Sequence, residues 1–401
     1  MNACLQVDAA PPVQEKPAWG AVFSLALGVF GLVTAEFLPA SLLTPMASSL
    51  GVTEGLAGQA VTATAAVAML TSLLIATATR NIDRRWVLLA FSVLLIVSNV
   101  LVAYAPNLPT ILAGRVLLGI AIGGFWTMSA ATAMRLVPEA MVPRALSIMF
   151  SGVSLATIAA APLGSYLGGI IGWRHVFLLA VVLGVLALVW QLFTLPRMAP
   201  SGTTRLGTLI EVLKRPGMAR GMIACTLVFT GHFAFFTYLR PFLEGVTGVG
   251  VNGLSAILLG FGVANFLGTS LAGLMLERNL RFTLMLMPLL MALIGFCLVV
   301  LGRVPAMHAA LVSLWGMAFG AVPVAWSTWI TRTVPDEAES GGGLIVAAVQ
   351  LAITLGAAAG GAIFDVSGAK GVFTASAAVL FAAALIIALN FRTQSVLATS
   401  S

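Results

Sequence analysis

Long apolar segments recur along the whole chain and restrict it to very few folds. Each is at least ~18 residues long, enough for a helix to cross a hydrocarbon core of ~30 Å. The chain is 60% hydrophobic and 8% charged, whereas a soluble protein has about 25% charged residues. A membrane barrel would need short alternating strands, but these segments are continuous. We therefore expect an all-α membrane protein with twelve transmembrane helices, near 19–46, 55–78, 86–104, 108–134, 143–170, 173–195, 217–245, 251–275, 280–302, 305–333, 338–365 and 370–391.

The positions of the Lys and Arg residues predict how the chain is oriented. With a cytoplasmic N-terminus, the outer side would hold only Arg174, Arg240, Arg303 and Lys370, and Arg115 would lie inside a helix. The cytoplasmic side would hold all the others: Lys16, Arg80, Arg84, Arg85, Arg135, Arg144, Arg197, Arg205, Lys214, Arg215, Arg220, Arg278, Arg281, Arg332 and Arg392. Cytoplasmic loops are rich in Lys and Arg, so both termini are predicted to be cytoplasmic. Residues 1–18 show no cleavable signal peptide, so we expect the first helix to be retained.

The second half of the sequence repeats the first at an offset of 196 to 198 residues. Gly119 and Gly123 recur as Gly316 and Gly320, and Thr-Ser-Leu at 71–73 recurs at 269–271. Six helices per repeat is an even number, so the two repeats have parallel orientations. We predict an N-terminal tail (1–18), a first six-helix bundle (19–195), a polar cytoplasmic linker (196–216), a second bundle (217–392) and a C-terminal tail (393–401). Such paired bundles favour alternating access to a site near the middle of the membrane.

Glu36 and Arg115 are charged residues predicted to lie inside the membrane. Counted from the outer ends of their helices, they lie at similar depths, roughly 15 Å and 10 Å. Ionisable residues in membrane helices are costly and commonly functional. One interpretation is a static salt bridge between two helices; the other, which we favour, is a carboxylate that takes up and releases a proton under the influence of the arginine.

Several aromatic and polar residues are candidates for binding a substrate. They are Trp126, His232, Phe236, Tyr238, Asn265, Trp326 and Gln350. Each also has a simpler interpretation, since the tryptophans could pack or face lipid and the amides could join helices. The sequence offers no metal or cofactor site, because Cys4, Cys225 and Cys297 have no ligand spacing. No Lys precedes Ser or Thr as in a phosphate loop, so we expect neither an ATP-driven pump nor an enzyme.

The motifs resemble those of the major facilitator superfamily, and within it the drug and metabolite proton antiporters. GRVLLGIAIGGFW resembles the arginine motif of that family, which implies a role for Arg115 near proton coupling. AAAPLGSYLGG resembles the antiporter motif through Pro162, Gly164 and Gly168, although Thr157 and Ala161 replace usual glycines. TRNIDRRWVLL resembles the gating loop through Asp83, Arg84 and Arg85, without its leading glycine.

A closer resemblance is to members that export purine nucleosides in exchange for protons. AEFLPASLLTPM, GGFWTMSAATAMRLVP, GHFAFFTYLRP and VPVAWSTWITR underlie it. It implies a monomeric transporter of the bacterial inner membrane whose partners are a nucleoside, protons and the lipid bilayer, not nucleic acid. Export of arabinose-like sugars or of drugs is the alternative within the family. A receptor or scaffold that transports nothing is a further alternative, although such a protein would not need the duplication or the Glu and Arg pair.

Overall fold

The computed structural model describes residues 17–138, 141–199, 206–301 and 304–390. Most of the predicted N-terminal tail, the predicted C-terminal tail and part of the linker lie outside these ranges. All regular elements in the described part of the chain are helical. They are α1 (Trp19–Ser41), α2 (Leu43–Leu50), α3 (Glu54–Ala78), α4 (Arg84–Ala103), α5 (Leu108–Leu136), α6 (Val142–Ile171), α7 (Trp173–Thr194), α8 (Leu206–Lys214), α9 (Met218–Thr237), α10 (Leu239–Phe242), a π-helical turn (Leu243–Thr247), α11 (Val251–Val300), α12 (Pro305–Thr333), a 3-10 turn (Pro335–Glu337) and α13 (Ala338–Asn390).

These elements form the twelve predicted membrane helices. α11 contains two of them, separated by non-helical backbone at Asn279, and α13 contains two more, separated at Gly368. Gly368 has a positive φ of 66°, which residues with a side chain rarely adopt, so glycine suits this turn. α1 and α2 form the first membrane helix, and α9, α10 and the π-helical turn form the seventh. The prediction of an all-α, twelve-helix membrane protein is confirmed.

The first and seventh membrane helices are interrupted at matching positions. The first is interrupted at Leu42 and the seventh at Tyr238, 196 residues later, with nearly identical backbone angles (φ/ψ −114°/13° and −105°/13°). A proline follows three residues after each interruption, at Pro45 and Pro241. Proline has no backbone N–H, so the carbonyl four residues earlier loses its helical partner. The interruptions are therefore built into both sequence repeats.

The packing of helices within each half reproduces the sequence repeat. A Cβ atom on Gly119 would overlap the backbone carbonyl of Thr64, and one on Gly123 would overlap that of Ala68. In the second half, Gly316 meets the carbonyl of Phe261 and Gly320 that of Asn265. The two contacts of the first half therefore recur in the second half, with both partners shifted by 197 residues. Glycine is needed here because two helices approach backbone to backbone.

The halves, residues 19–195 and 217–390, contact each other closely at the end of the helices away from the linker, which we call the far end. Thr53 donates a hydrogen bond to Asp365 across the boundary (3.2 Å). Arg240 donates another to the backbone carbonyl of Ser41. Gly169 packs on Val251, where any side chain at 169 would collide. The structure is therefore a conformation in which the far end is closed.

The linker is fastened to both halves at the opposite end, which we call the linker end. Arg135 donates a hydrogen bond to the carbonyl of Ala199 (2.7 Å). On the other side, Arg215 pairs with Asp336 through two short bonds (2.6 and 2.7 Å). The polar segment predicted as a plain linker also contains the nine-residue helix α8. It thus makes specific contacts with both bundles.

Candidate transport site

Glu36 lies in a small cavity where the two halves meet. Phe37, Ala40 and Val61 line it from the first half, and Phe233, Phe236, Thr237 and Ile353 line it from the second. The side chain of Gln350, from the second half, is within hydrogen-bonding range of the Glu36 carboxylate. Gln350 is 4% exposed, and its own carbonyl oxygen has no hydrogen-bond partner. The cavity has room for about one water molecule, and Glu36 is half-buried.

Arg115 lies beside Glu36 but bonds to a different group. Its guanidinium is fully buried and donates to the carbonyl of Ala35 at 2.8 Å. That carbonyl is free because the residue four positions later, where a helix would supply the N–H, is Pro39. The guanidinium also lies 5.0 Å above the ring of Phe177, while Nε and Nη2 have no hydrogen-bond partner.

The predicted pairing of Glu36 with Arg115 is therefore not a direct ion pair in this conformation. The two side chains interact at longer range, while the carboxylate faces the cavity and Gln350. Helix depth placed the two residues at the same level, as observed. It could not predict that Pro39 directs the arginine to a carbonyl of the helix backbone instead of the carboxylate.

His232 is held in an aromatic cluster of the second half. Its Nδ1 accepts a hydrogen bond from the indole N–H of Trp315 (3.1 Å), which leaves Nε2 as the protonated nitrogen of the neutral ring. The ring stacks on Phe319 at 3.3 Å and nearly parallel. The ring of Phe236 lies 5.8 Å from that of His232 and nearly parallel to it, and it meets the ring of Phe37 edge-on across the boundary at 5.5 Å. A chain of rings thus runs from His232 to the cavity.

Four other predicted binding residues bond or pack mainly within their own half, although the Tyr238 hydroxyl also lies against Gly58 of the first half. Tyr238 is fully buried and donates to the carbonyl of Ala357 (2.9 Å), and Asn265 donates to that of Gly316 (3.2 Å). Trp326 is 1% exposed and packs edge-on against Trp329. The half-buried Trp126 packs on the core of the first half. None of the four lines the described cavity around Glu36.

The predicted gating loop binds the segment that leads into the linker. The Asp83 carboxylate accepts from the backbone N–H of Met198 (3.0 Å) and from that of Arg85 (2.8 Å), which caps α4. These bonds hold the pKa of Asp83 below its usual value, and the bond from Met198 has the larger effect. Arg84 donates to the hydroxyl of Thr79, and Arg85 to the carbonyl of Leu192. The loop therefore couples α3, α4 and α7 to the linker.

The glycines of the predicted antiporter motif bring α6 against α1. A Cβ atom on Gly164 would lie 2.7 Å from the hydroxyl of Ser41, and one on Gly168 would overlap Leu42. Pro162 lies inside α6, two residues before Gly164. The motif therefore packs on the interruption of the first membrane helix.

The sequence analysis did not single out the cavity-lining residues Phe37, Phe233, Thr237 and Ile353, nor the contact of Arg240 with Ser41. Phe37 and Phe233 adjoin Glu36 and His232 in sequence, so proximity alone was a usable signal. For Arg240 the signal was Pro45, which predicts a free carbonyl at Ser41. Nothing in a single sequence predicts which donor of the other half reaches it.

Comparison with known proteins identifies the family. The model of the Major Facilitator Superfamily matches residues 25–345 and 247–399. The chain belongs to the Major Facilitator Superfamily. Relatives in this superfamily include proteins described as "Purine ribonucleoside efflux pump NepI" from Salmonella typhimurium and Salmonella typhi, each 47% identical over 377 residues, which cover 94% of this chain and 95% of theirs.

Solved structures of superfamily transporters share the fold. The D-xylose-proton symporter superposes with a TM-score of 0.77 at 16% identity, covering 94% of this chain and 98% of its own. The nucleoside transporter NupG superposes with a TM-score of 0.76 at 12% identity, covering 92% and 100%. At such identities the likeness establishes the architecture alone. Membership of the superfamily, together with the long apolar helices, makes this chain a multi-pass membrane transporter.

Proposed function

We propose that this protein exports purine ribonucleosides of the inosine and guanosine type across the bacterial inner membrane in exchange for protons. The 47% identity to proteins described as purine ribonucleoside efflux pumps, over almost the entire chain, supports the substrate class. One structural observation supports the coupling: Glu36 lies where the halves meet, within range of Gln350 on the opposite half. A carboxylate at this boundary can respond to protonation and to the movement of both halves.

The chemistry of the cavity suits a flat, neutral and polar substrate. Phe37, Phe233 and Phe236 supply aromatic faces, and stacking of a base on an aromatic ring contributes ~1–3 kcal/mol. The Glu36 carboxylate accepts hydrogen bonds, and the Gln350 amide both donates and accepts them. In this proposal the cavity widens as the halves separate, and His232 joins it through the ring of Phe236.

The proposed cycle alternates the side to which the cavity opens. With both termini cytoplasmic, as the distribution of Lys and Arg predicts, the far end faces outward and is closed in this conformation. Proton binding at Glu36 weakens its attraction for Arg115 and changes its bond to Gln350, which favours movement of one half against the other. A proton moving through ~100 mV supplies about 2.3 kcal/mol, enough for a gradient above tenfold at 1.4 kcal/mol per decade.

Transport into inverted vesicles tests the substrate and the coupling together. We expect an imposed pH gradient to drive accumulation of labelled inosine, with guanosine as an effective competitor and arabinose and a cationic dye as poor ones. Glu36→Gln should abolish dependence on the gradient. Glu54→Gln, which alters an acid in the first turn of α3 that does not line the cavity, should leave it intact. If arabinose or the dye competed effectively, the substrate would be a sugar or a drug instead of a nucleoside. If no labelled solute entered the vesicles at all, a receptor would be favoured.

A further inference from the structure

A gap in the hydrogen bonding of the first membrane helix lies at the boundary between the halves. Leu42 donates to the carbonyl of Leu38 and Met46 donates to that of Leu42, so the helical pattern continues on both sides of the interruption. The carbonyl of Ser41 would take the N–H of residue 45, but that residue is Pro45. Inside a membrane protein an unpaired carbonyl is costly, so this group requires a donor from elsewhere.

Arg240 supplies that donor from the other half. It lies in α10, just after the interruption of the seventh membrane helix, and only 5% of it is exposed. Its Nη1 donates to the carbonyl of Ser41. Its Nε and Nη2 both contact Oε1 of Glu244, one helical turn later, at 2.9 Å. Glu244 therefore holds the guanidinium with Nη1 directed across the boundary.

We propose that Arg240 is a latch that holds the far end closed by bonding the Ser41 carbonyl and releases it when the far end opens. The contrast with Arg115 supports this role. Arg115 donates to a similar carbonyl, that of Ala35, whose helical partner is removed by Pro39. Both groups belong to the same half, so alternation of the halves need not break that bond. The Arg240 bond joins groups on different halves, so separating the halves at the far end must break it. The latch does not depend on which substrate is transported and requires only that the two halves move against each other.

Thiol labelling measures the latch directly, without any substrate. Arg240 and Ser41 line a second small cavity together with Ala161 of α6, which is 3% exposed. A cysteine in place of Ala161, with Cys4, Cys225 and Cys297 replaced, should react with a membrane-impermeant maleimide only when the far end opens. Applying the reagent to each face of the membrane in turn identifies which side the far end faces.

Arg240→Met should raise the labelling rate about tenfold, which corresponds to ~1.4 kcal/mol taken from the closed state. Arg240→Lys, which keeps one charged donor, should give a smaller increase. Arg174→Met is the matched control, because Arg174 donates to Ser49 and Ala105 within the first half near the same end. Its labelling rate should equal that of the parent protein.

Pro45→Ala tests the same bond from the side of the acceptor. It provides an N–H for the Ser41 carbonyl within the helix, so Arg240 loses its acceptor while remaining paired with Glu244. This variant should also raise labelling, and adding Arg240→Met should raise it little further. If Arg240→Met misfolds, Pro45→Ala still decides the question. Labelling that equals the parent rate in Pro45→Ala, or two effects that multiply independently, would overturn the latch.

Discussion

Replacing Arg115 with methionine separates its structural role from its proposed role in coupling. The substitution removes one charged hydrogen bond to the Ala35 carbonyl, ~1.5–3 kcal/mol, and one contact with the ring of Phe177, ~0.5–2 kcal/mol. It also removes two buried nitrogen donors of Arg115, Nε and Nη2, that have no partners. Burying such an unpaired donor destabilises the fold by ~1–3 kcal/mol, so their removal is stabilising. These contributions nearly cancel, so the free energy of unfolding should change by less than about 2 kcal/mol.

Transport should respond quite differently. Without the positive charge nearby, Glu36 binds its proton more tightly and releases it less readily, so proton-driven uptake should be lost. A second variant, Arg115→Met with Pro39→Ala, restores a helical N–H for the Ala35 carbonyl. It should regain any stability lost in the single variant and still fail to transport. Thermal unfolding in detergent and vesicle uptake, measured on the same preparations, check both statements.

The opposite pattern would refute this reasoning about Arg115. If Arg115→Met were destabilised by much more than 3 kcal/mol and Pro39→Ala restored stability and transport together, the arginine would serve only to complete the helix backbone. Pro39→Ala alone is the control. It retains the arginine and should retain most of the coupled transport.

Further predictions concern packing and pH. Gly123→Val and Gly320→Val should each lower the free energy of unfolding by ~1–3 kcal/mol, because the new side chain overlaps a backbone carbonyl. Gly273→Ala, with no atom within 4 Å of the added carbon, should not be destabilising; thermal unfolding distinguishes these cases. Asp83 has a lowered pKa, so its stabilising bonds to the linker segment are complete above its ordinary pKa and are lost as the pH falls through the lower folded value. Asp83→Asn should therefore flatten the acid side of a plot of unfolding temperature against pH, measured on parent and variant in parallel.

The sequence predicted the fold well because the bilayer limits the choices. Apolar segments of the right length can only be helices there, and the repeat of 197 residues predicted the paired halves. The repeated glycines at 119, 123, 316 and 320 lie where helices approach backbone to backbone, as small residues permit. The 3-10 turn, α8 and the exact interruption at Leu42 were not predicted, because they depend on local hydrogen bonding instead of hydropathy.

The sequence predicted how deep the site residues lie in the membrane, but not which way their side chains point. The depths of Glu36 and Arg115 indicated neighbours, as observed, but rotation about each helix axis determines the bonding partner. Gln350 was predicted as a substrate ligand on its own, and the structure places it within range of Glu36. Contacts between residues 199 positions apart, such as Ser41 with Arg240, depend on how the halves pack, and a single sequence holds no measure of that packing.

The most direct test of proton coupling through Glu36 is substrate-induced proton movement. Vesicles containing purified protein and a trapped pH dye are given inosine without any imposed gradient. The native protein should move protons opposite to inosine, whereas Glu36→Gln should move none, although it still exchanges labelled for unlabelled inosine. Proton movement by Glu36→Gln equal to that of the native protein would contradict the proposal that Glu36 is the proton carrier.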